Sequence, residues 1–362
     1  GGAGFIGSHT CDLLIENGYS VRVLDSLSSQ IHKDNKVPNY LNKKIELVIG
    51  DIRNKKLVSE CLKDIDFVIH NAACVGVGQS MYEIDNYVDI NCRGSAILFE
   101  EILKVKKQIK KIIIASSMSV YGEGSYLHNN NIVSPELRSI DYLSQSKWEL
   151  EIENEVLIPQ PTNEHKTLAP GSVYAITKRD QEEMFLILGK EYEIPVVAFR
   201  YFNVIGSRQA LSNPYTGVAA IFCSRILNSN QPLIFEDGLQ MRDFVHVKDV
   251  ARANLLAIEN ENVANNVYNI GSGTPITIKD LAKKIANALC SHIEPQVTGK
   301  YRSGDIRHCF ADISKANKDL GYVPKSSIDL AIAETVEWVK RQIAEDKVDM
   351  SYNILKEKNL IK

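Results

Sequence analysis

The residues of this 362-residue chain best able to do chemistry are a tyrosine and a lysine four positions apart, Tyr174 and Lys178. On a helix they lie one turn apart on one face. An ammonium beside a phenol lowers the phenol's pKa, and the tyrosine can then serve as a base near neutral pH. The pattern alone is weak, because Tyr40…Lys44 and Tyr352…Lys356 match it too. Tyr174 is the first of the three to follow Ile112-Ile113-Ile114-Ala115-Ser116-Ser117, an apolar run that ends in hydroxyls. Parallel sheets bind ligands at the carboxyl ends of such strands, so Ser117 can share a substrate oxygen with Tyr174.

A second group opens the chain. Gly1, Gly4 and Gly7 are spaced GxxGxxG and lead at once into a helical pattern. Backbone N–H groups at a helix start can receive a pyrophosphate, and a side chain would block that approach. A strand ending in Asp25 follows, 18 residues after Gly7. An acid there can accept both adenosine ribose hydroxyls and repel a 2′-phosphate. With no Arg beside it, the pairing predicts NAD rather than NADP. Asp51-Ile52 ends the next strand and could touch adenine, although an ordinary turn aspartate fits as well.

These groups need a scaffold. Short apolar runs at Val21–Leu24, Ile45–Ile49, Asp66–His70, Lys111–Ala115 and Pro195–Arg200 read as strands. Helical patterns fall at Ser8–Glu16, Lys56–Lys63, Asp89–Val105 and Tyr174–Tyr192. That alternation predicts an α/β fold with a doubly wound parallel sheet. The long polar stretch Glu123–Ser172 interrupts it. Inside that stretch Trp148, Leu150 and Ile152 alternate with glutamates, which predicts a hairpin with Val156-Leu157-Ile158 across Asn154-Glu155. Residues after about Gln342 are charged and read as peripheral. The first strand is expected ahead of Gly1, as five or six mostly apolar residues ending at the glycine loop. The 362 residues are on that expectation a lower bound on the working protein.

Composition removes other classes. Lys plus Arg is 42 and Asp plus Glu is 45, a net charge of −3, which argues against a broad nucleic-acid footprint. No apolar run approaches the roughly 18 residues of a membrane span. Seven scattered cysteines without CxxC read as reduced thiols in a cytoplasmic protein, with no metal site.

Together these motifs resemble the extended short-chain dehydrogenase/reductase superfamily. The resemblance is carried by Gly1–Gly7, Ser116-Ser117-Met118-Ser119-Val120-Tyr121-Gly122, Tyr174/Lys178 and Arg200-Tyr201-Phe202-Asn203. Arg242-Asp243-Phe244-Val245-His246-Val247 and Arg302-Ser303-Gly304-Asp305 narrow it to nucleotide-sugar epimerases and dehydratases. Val75–Met81, Leu211–Gly217 and Gly304-Asp305-Ile306-Arg307-His308 look most like the dTDP-L-rhamnose 4-epimerase subgroup.

The resemblance implies a Rossmann-type NAD domain over residues 1–203, with the insertion 123–172 and a returning segment near 243–270. A smaller substrate domain would occupy 204–362. It implies that Tyr174 deprotonates the sugar C4 hydroxyl while Ser117 holds the oxygen. Hydride passes to bound NAD and returns to the other face of a transient 4-keto sugar. Cofactor contacts are implied for Gly1, Gly4, Phe5, Ile6, Gly7, Asp25, Asp51, Ile52, Ala72, Ala73, Ser116, Tyr174, Lys178 and Phe202. Substrate contacts are implied for Ser119, Asn203, Phe235, Arg242, Arg302 and Asp305, with the arginines on the diphosphate. A homodimer is implied through helices at Asp89–Val105 and Tyr174–Leu188. His246 and Asp249 read as structural.

Departures sharpen the reading. Met118 and Ser119 stand where dehydratases carry an acid, and neither can remove a C5 proton. Gly78 and Gln79 offer no cation to a uronate, which favours a neutral or 6-deoxy sugar. UDP-glucose/UDP-galactose and UDP-uronate epimerases are the alternatives. An oxidoreductase that releases NADH and a non-catalytic dinucleotide sensor complete the set.

Overall fold

The computed structural model describes residues 1–362 apart from Ser212, Pro214, Thr216, Ser303 and residues 343–345. Ser212, Pro214, Thr216 and Ser303 of the motifs quoted above therefore lie outside the described residues.

Four parallel strands stand side by side in the order Asn266–Ile270, Val196–Tyr201, Lys111–Ser117, Phe67–His70. Alternate side chains feed two separate cores. Ile113, Val197 and Phe199 pack on one face with Leu14, Val250 and Tyr268. Ile112, Ile114 and Val196 pack on the other with Phe99, Ile102 and Phe185. Strands buried on both faces have no polar side to present, which is why these runs lack alternation. The doubly wound arrangement is as the sequence predicts.

Arg22–Asp25 pairs in parallel with Glu46–Ile49 as a second, separate pair. Between it and Phe67–His70 lies a cavity of about 520 Å³, lined by Gly1, Gly2, Leu14, Val23, Phe67 and Ile69 among others.

The helices follow their patterns with local differences. The first begins at Phe5, not Ser8, directly on the glycine loop. The Asp89–Val105 helix opens with a π-helical stretch, Val88–Arg93, before Gly94–Lys104. A third core gathers Phe222, Ile234, Phe244, Ile285 and Val336 from the helices Val218–Leu227, Ile278–Ala288 and Ile328–Lys340 and neighbouring strands. A small sheet joins this core to the first: Asn203–Ile205 pairs with Met241–His246, which also pairs with Pro275–Thr277 and His308–Cys309.

The 123–172 stretch holds a three-stranded antiparallel sheet of Asn131–Val133, Ser125–His128 and Ile158–Gln160. The predicted hairpin is present as Glu151–Ile152 with Glu155–Val156. Its turn is Glu153-Asn154, both at positive φ (54° and 65°), one residue earlier than expected. That is the left-handed pair a two-residue hairpin turn requires. Ile158 leaves the hairpin for the other sheet. Among the described residues no helix is long and apolar enough to cross a membrane, and the seven cysteines are unpaired.

Candidate active site

Tyr174 is placed by a helix start. Ser172 caps the helix Val173–Glu191 by accepting from the Ala175 N–H, the side-chain role that favours serine there. The Tyr174 N–H donates to Ser80 Oγ at 3.0 Å. Lys178, one turn on, donates to the Ala115 carbonyl at 2.8 Å, at the end of the Lys111–Ser117 strand. Ser119 donates to Ser117 Oγ through its N–H (3.2 Å) and its hydroxyl (2.9 Å). Tyr174, Lys178 and Ser119 are buried.

The electrostatics differ from the simple expectation. Burial pushes the Tyr174 phenol up to about 12, and a hydrogen bond with Ser117 only partly offsets it. Burial brings the Lys178 ammonium down to about 8, opposed weakly by Cys92. The lysine is anchored on a carbonyl, so desolvation, not its charge, dominates the phenol in the protein alone. The expected lowering of the tyrosine is thus absent from the free protein.

A cavity of about 400 Å³ runs past these groups. It is lined by Gly4, Phe5, Ile6, Gly7, Ala73, Ser116, Ser117, Ser119, Tyr174, Lys178, Phe202 and Asn203 among others. The loop end suits a pyrophosphate. The helix Phe5–Glu16 starts on Gly4, without a side-chain cap or an acid in its first turn, so its first N–H groups remain available. A Cβ on Gly1 would stand 2.5 Å from the Ala72 nitrogen, and one on Gly7 would be 2.6 Å from Gly2 Cα. Asp25 accepts from the Ala3 N–H (3.0 Å) and the Leu27 N–H (2.9 Å), bracing the loop.

Some predicted contacts stand apart from this cavity. Gly1, Ala72 and Ile52 line the 520 Å³ cavity instead. Ile52 also packs against Gly94, and Asp51 is paired with Arg53 at 2.6 Å. The Ser116 hydroxyl turns away to Glu182 at 2.6 Å, where Glu182 also holds Arg200. Glu182 carries no motif signal of its own, and sequence reading missed it.

A second cavity, of about 310 Å³, adjoins the first and shares Val77, Met118, Ser119 and Asn203 with it. Phe235, Arg242, Arg302 and Asp305 all line it. Arg242 is held by the carbonyls of Met241, Ile306 and Arg307, with no carboxylate paired to it among the described residues. Arg302 pairs with Asp305 at 2.9 Å and lies 4.8 Å over the Phe235 ring. Ile234, beside Phe235, is core. Asn203 Oδ1 is buried without a partner among the described atoms, an acceptor suited to a substrate donor.

Two sequence expectations change here. The residues after Gln342 are not peripheral: Val348, Ser351, Tyr352, Leu355 and Ile361 line this cavity. A ten-residue helix with apolar residues on one face was hidden by its charges. The 123–172 stretch lines neither site cavity. It clasps the 307–312 segment instead, through Gly124 and Thr162 backbone bonds to His308, Phe310 and Asp312. His246 caps its helix and meets Glu334, and Asp249 accepts from the Lys325 and Ser326 N–H groups, structural roles as expected.

Comparison with known proteins follows the geometry. The model of the NAD dependent epimerase/dehydratase family matches residues 1–271. The dTDP-L-rhamnose 4-epimerase of Burkholderia thailandensis is 34% identical over 347 residues, covering 95% of this chain and 94% of that protein. A putative UDP-glucose 4-epimerase of Methanocaldococcus jannaschii is 35% identical over 342 residues, covering 94% and 97%. The solved UDP-N-acetylglucosamine 4-epimerase from Methanobrevibacter ruminantium, in complex with UDP-N-acetylmuramic acid, superimposes with a TM-score of 0.77 at 33% identity, covering 94% and 97%. The chain belongs to the NAD dependent epimerase/dehydratase family and is an NAD-dependent enzyme of the nucleotide-sugar epimerase kind.

Proposed function

We propose that the protein inverts C4 of a nucleotide-activated hexose, with dTDP-L-rhamnose and dTDP-6-deoxy-L-talose as its preferred pair. The observation that carries this reading is the shared wall of Val77, Met118, Ser119 and Asn203 between the two cavities. A sugar lying there has the Tyr174–Ser117 pair on one side and the arginine-bearing cavity on the other. Bound NAD supplies the hydride acceptor for the outward step and the donor for the return. Tyr174 takes the proton from the C4 hydroxyl, and Ser117 holds that oxygen as it becomes a ketone. Tyr174 then returns the proton when the carbonyl is reduced on its other face. Burial of Tyr174 keeps water from the oxygen.

The phosphates must stay fixed while the sugar turns. Arg242 and Arg302 supply two charges for the diphosphate, Phe235 a ring for the base, and Asp305 and Asn203 polar contacts. Gly4, Phe5, Ile6, Gly7, Ala73, Ser116 and Phe202 make the cofactor's bed in the first cavity, and Gly1, Asp25, Asp51, Ile52 and Ala72, outside that lining, are assigned to its adenosine end. Lys178 holds the nicotinamide ribose and adds charge beside the phenol. The division at 203/204, with 243–270 returning to the NAD side, follows from this assignment.

Met118 and Ser119 leave the reacting carbon without a carboxylate, which favours epimerisation over dehydration. Lys178 is the only charged side chain on the first cavity among its described lining residues. Val75, Val77 and Met118 offer a neutral, partly apolar surround, which suits a 6-deoxy sugar. A UDP-glucose/UDP-galactose pair is the second reading, favoured by the relative from Methanocaldococcus jannaschii. A homodimer in the cytoplasm fits exposed Ile84, Val88, Ile176 and Ile187 near the Tyr174 helix and its neighbour.

The test is purified protein with a panel of nucleotide sugars. Conversion of dTDP-L-rhamnose without added cofactor, and with no net reduced-nicotinamide absorbance, is expected. Stoichiometric NADH release would overturn the epimerase reading; faster conversion of UDP-glucose would overturn the substrate assignment.

A further inference from the structure

The helix Val348–Glu357 is fastened over the second cavity at three points. Tyr301 and Lys362 exchange backbone N–H···O bonds of 3.1 and 3.0 Å, which sets Ile361 opposite Arg302. Arg225, on the cavity wall, reaches Asp349 at 2.8 Å and Asp346 at 3.4 Å. The Lys300 ammonium bonds the Tyr352 hydroxyl and lies 5.0 Å over its ring.

One face of the helix looks into the cavity. Val348, Ser351, Tyr352 and Leu355 recur at three- and four-residue steps, the spacing of a single helical stripe. Met350, off that stripe, is 54% exposed. Leu355 is buried, and its methyls lie 3.3 and 3.5 Å from where a Cβ on Gly78 would stand. Gly78 belongs to the short helix Val77–Ser80, whose Val77 lines both cavities. Leu355 therefore joins the C-terminal helix to the element beside the reacting end.

We propose that this helix is a wall of the substrate site, with Tyr352 and Leu355 packing against the nucleoside diphosphate portion of the nucleotide sugar. The inference rests on the nucleotide-sugar reading above. It adds an apolar face to the cavity that Arg302 and Phe235 also line. Loss of that face weakens the anchoring of the substrate, not the chemistry at Tyr174.

The test uses the full-length enzyme with its NAD. Leu355→Ala and Tyr352→Ala are each measured for binding of dTDP and UDP by calorimetry, for KM and kcat on the nucleotide sugar turned over, and for NAD released on denaturation. Roughly tenfold weaker nucleoside diphosphate binding and a matching rise in KM are expected. NAD content and kcat should stay near wild type. Tyr352→Phe, which keeps the ring, should bind like wild type and covers the case of a poorly folded Leu355 variant. Unchanged dTDP and UDP affinity in both alanine variants would overturn the wall, even if the wild type is a good epimerase. A wild type that binds dTDP or UDP but converts no nucleotide sugar overturns the catalytic reading alone, since the binding arm still decides the wall. A wild type that binds neither overturns both.

Discussion

The cofactor cavity and the nucleotide cavity share a wall but are built in opposite ways. The first is made of strand ends. Gly4–Gly7, Ala73, Ser116–Ser119 and Phe202–Asn203 are short, contiguous pieces, and most follow a strand of one parallel sheet. The second draws on pieces within 77–78, 218–242, 304–306 and 348–361, and on Arg302. Two of those pieces, 218–242 and the one ending at Ile306, are tied together by a buried charge cluster. Arg307 is fully buried and reaches Glu149, Glu236 and Asp237. Arg138 takes Glu236 at 2.9 Å, and Glu123 accepts the Arg307 N–H at 2.8 Å. Sheet topology fixes one site; long-range ion pairs fix the other. The two should therefore fail separately.

Tyr174→Phe breaks chemistry without touching either frame. Turnover should fall by about 10² to 10⁴, the range for loss of a positioned acid–base group. Retained NAD and nucleoside diphosphate affinity should match wild type. Activity within a few-fold of wild type would remove Tyr174 from the mechanism.

Arg307→Met attacks the nucleotide side. It leaves the buried Glu236 and the half-buried Glu149 and Asp237 without the Arg307 charge. Removing one partner of a buried pair costs about 3–5 kcal/mol, to be read from denaturant unfolding. Because Arg242 is held by the Ile306 and Arg307 carbonyls, KM for the nucleotide sugar should rise before NAD is lost. Parallel loss of both ligands would show that the two frames are one.

Gly7→Ala is the mirror experiment. Its Cβ would stand 2.6 Å from Gly2 Cα, so the loop must shift. Overpacking of this kind costs about 1–3 kcal/mol. NAD content should drop while dTDP and UDP binding by the stripped protein persists.

The same contrast explains what could be read in advance. The parallel strands and Tyr174, Lys178 and Ser117 were legible because each signal is local: an apolar run, a four-residue step, a hydroxyl at a strand end. Arg242 and Arg302 were legible only through resemblance, since nothing local says where an arginine points. Glu182 and Arg225 were missed because their partners, Ser116 with Arg200 and Asp349 with Asp346, lie 18 or more residues away. The C-terminal helix was missed because net charge outweighs a four-residue stripe. The free-protein state of Tyr174 was misjudged for a related reason: sequence shows the neighbouring lysine but not the depth of burial.

The smallest effect tests the cluster by pH. Glu149 is half-buried; burial alone would raise its carboxyl, but His308 and Arg307 bring it down to about 2 from an ordinary 4.5. A depressed carboxyl stabilises the fold fully above about 4.5, and that contribution fades as pH falls toward 2. Glu123 works in the other sense, because burial raises its carboxyl despite Arg138. Its protonation in acid therefore does not remove stability. The wild type should thus lose more stability than Glu149→Gln between pH 5 and pH 3, as measured by urea midpoints at each pH. Partial exposure and salt keep the difference small, so low ionic strength is the condition to use. NAD retention should not separate the two proteins across this titration, since Glu149 touches only the nucleotide-side frame. A pH-independent gap between the two would mean that Glu149 is not held by its charge.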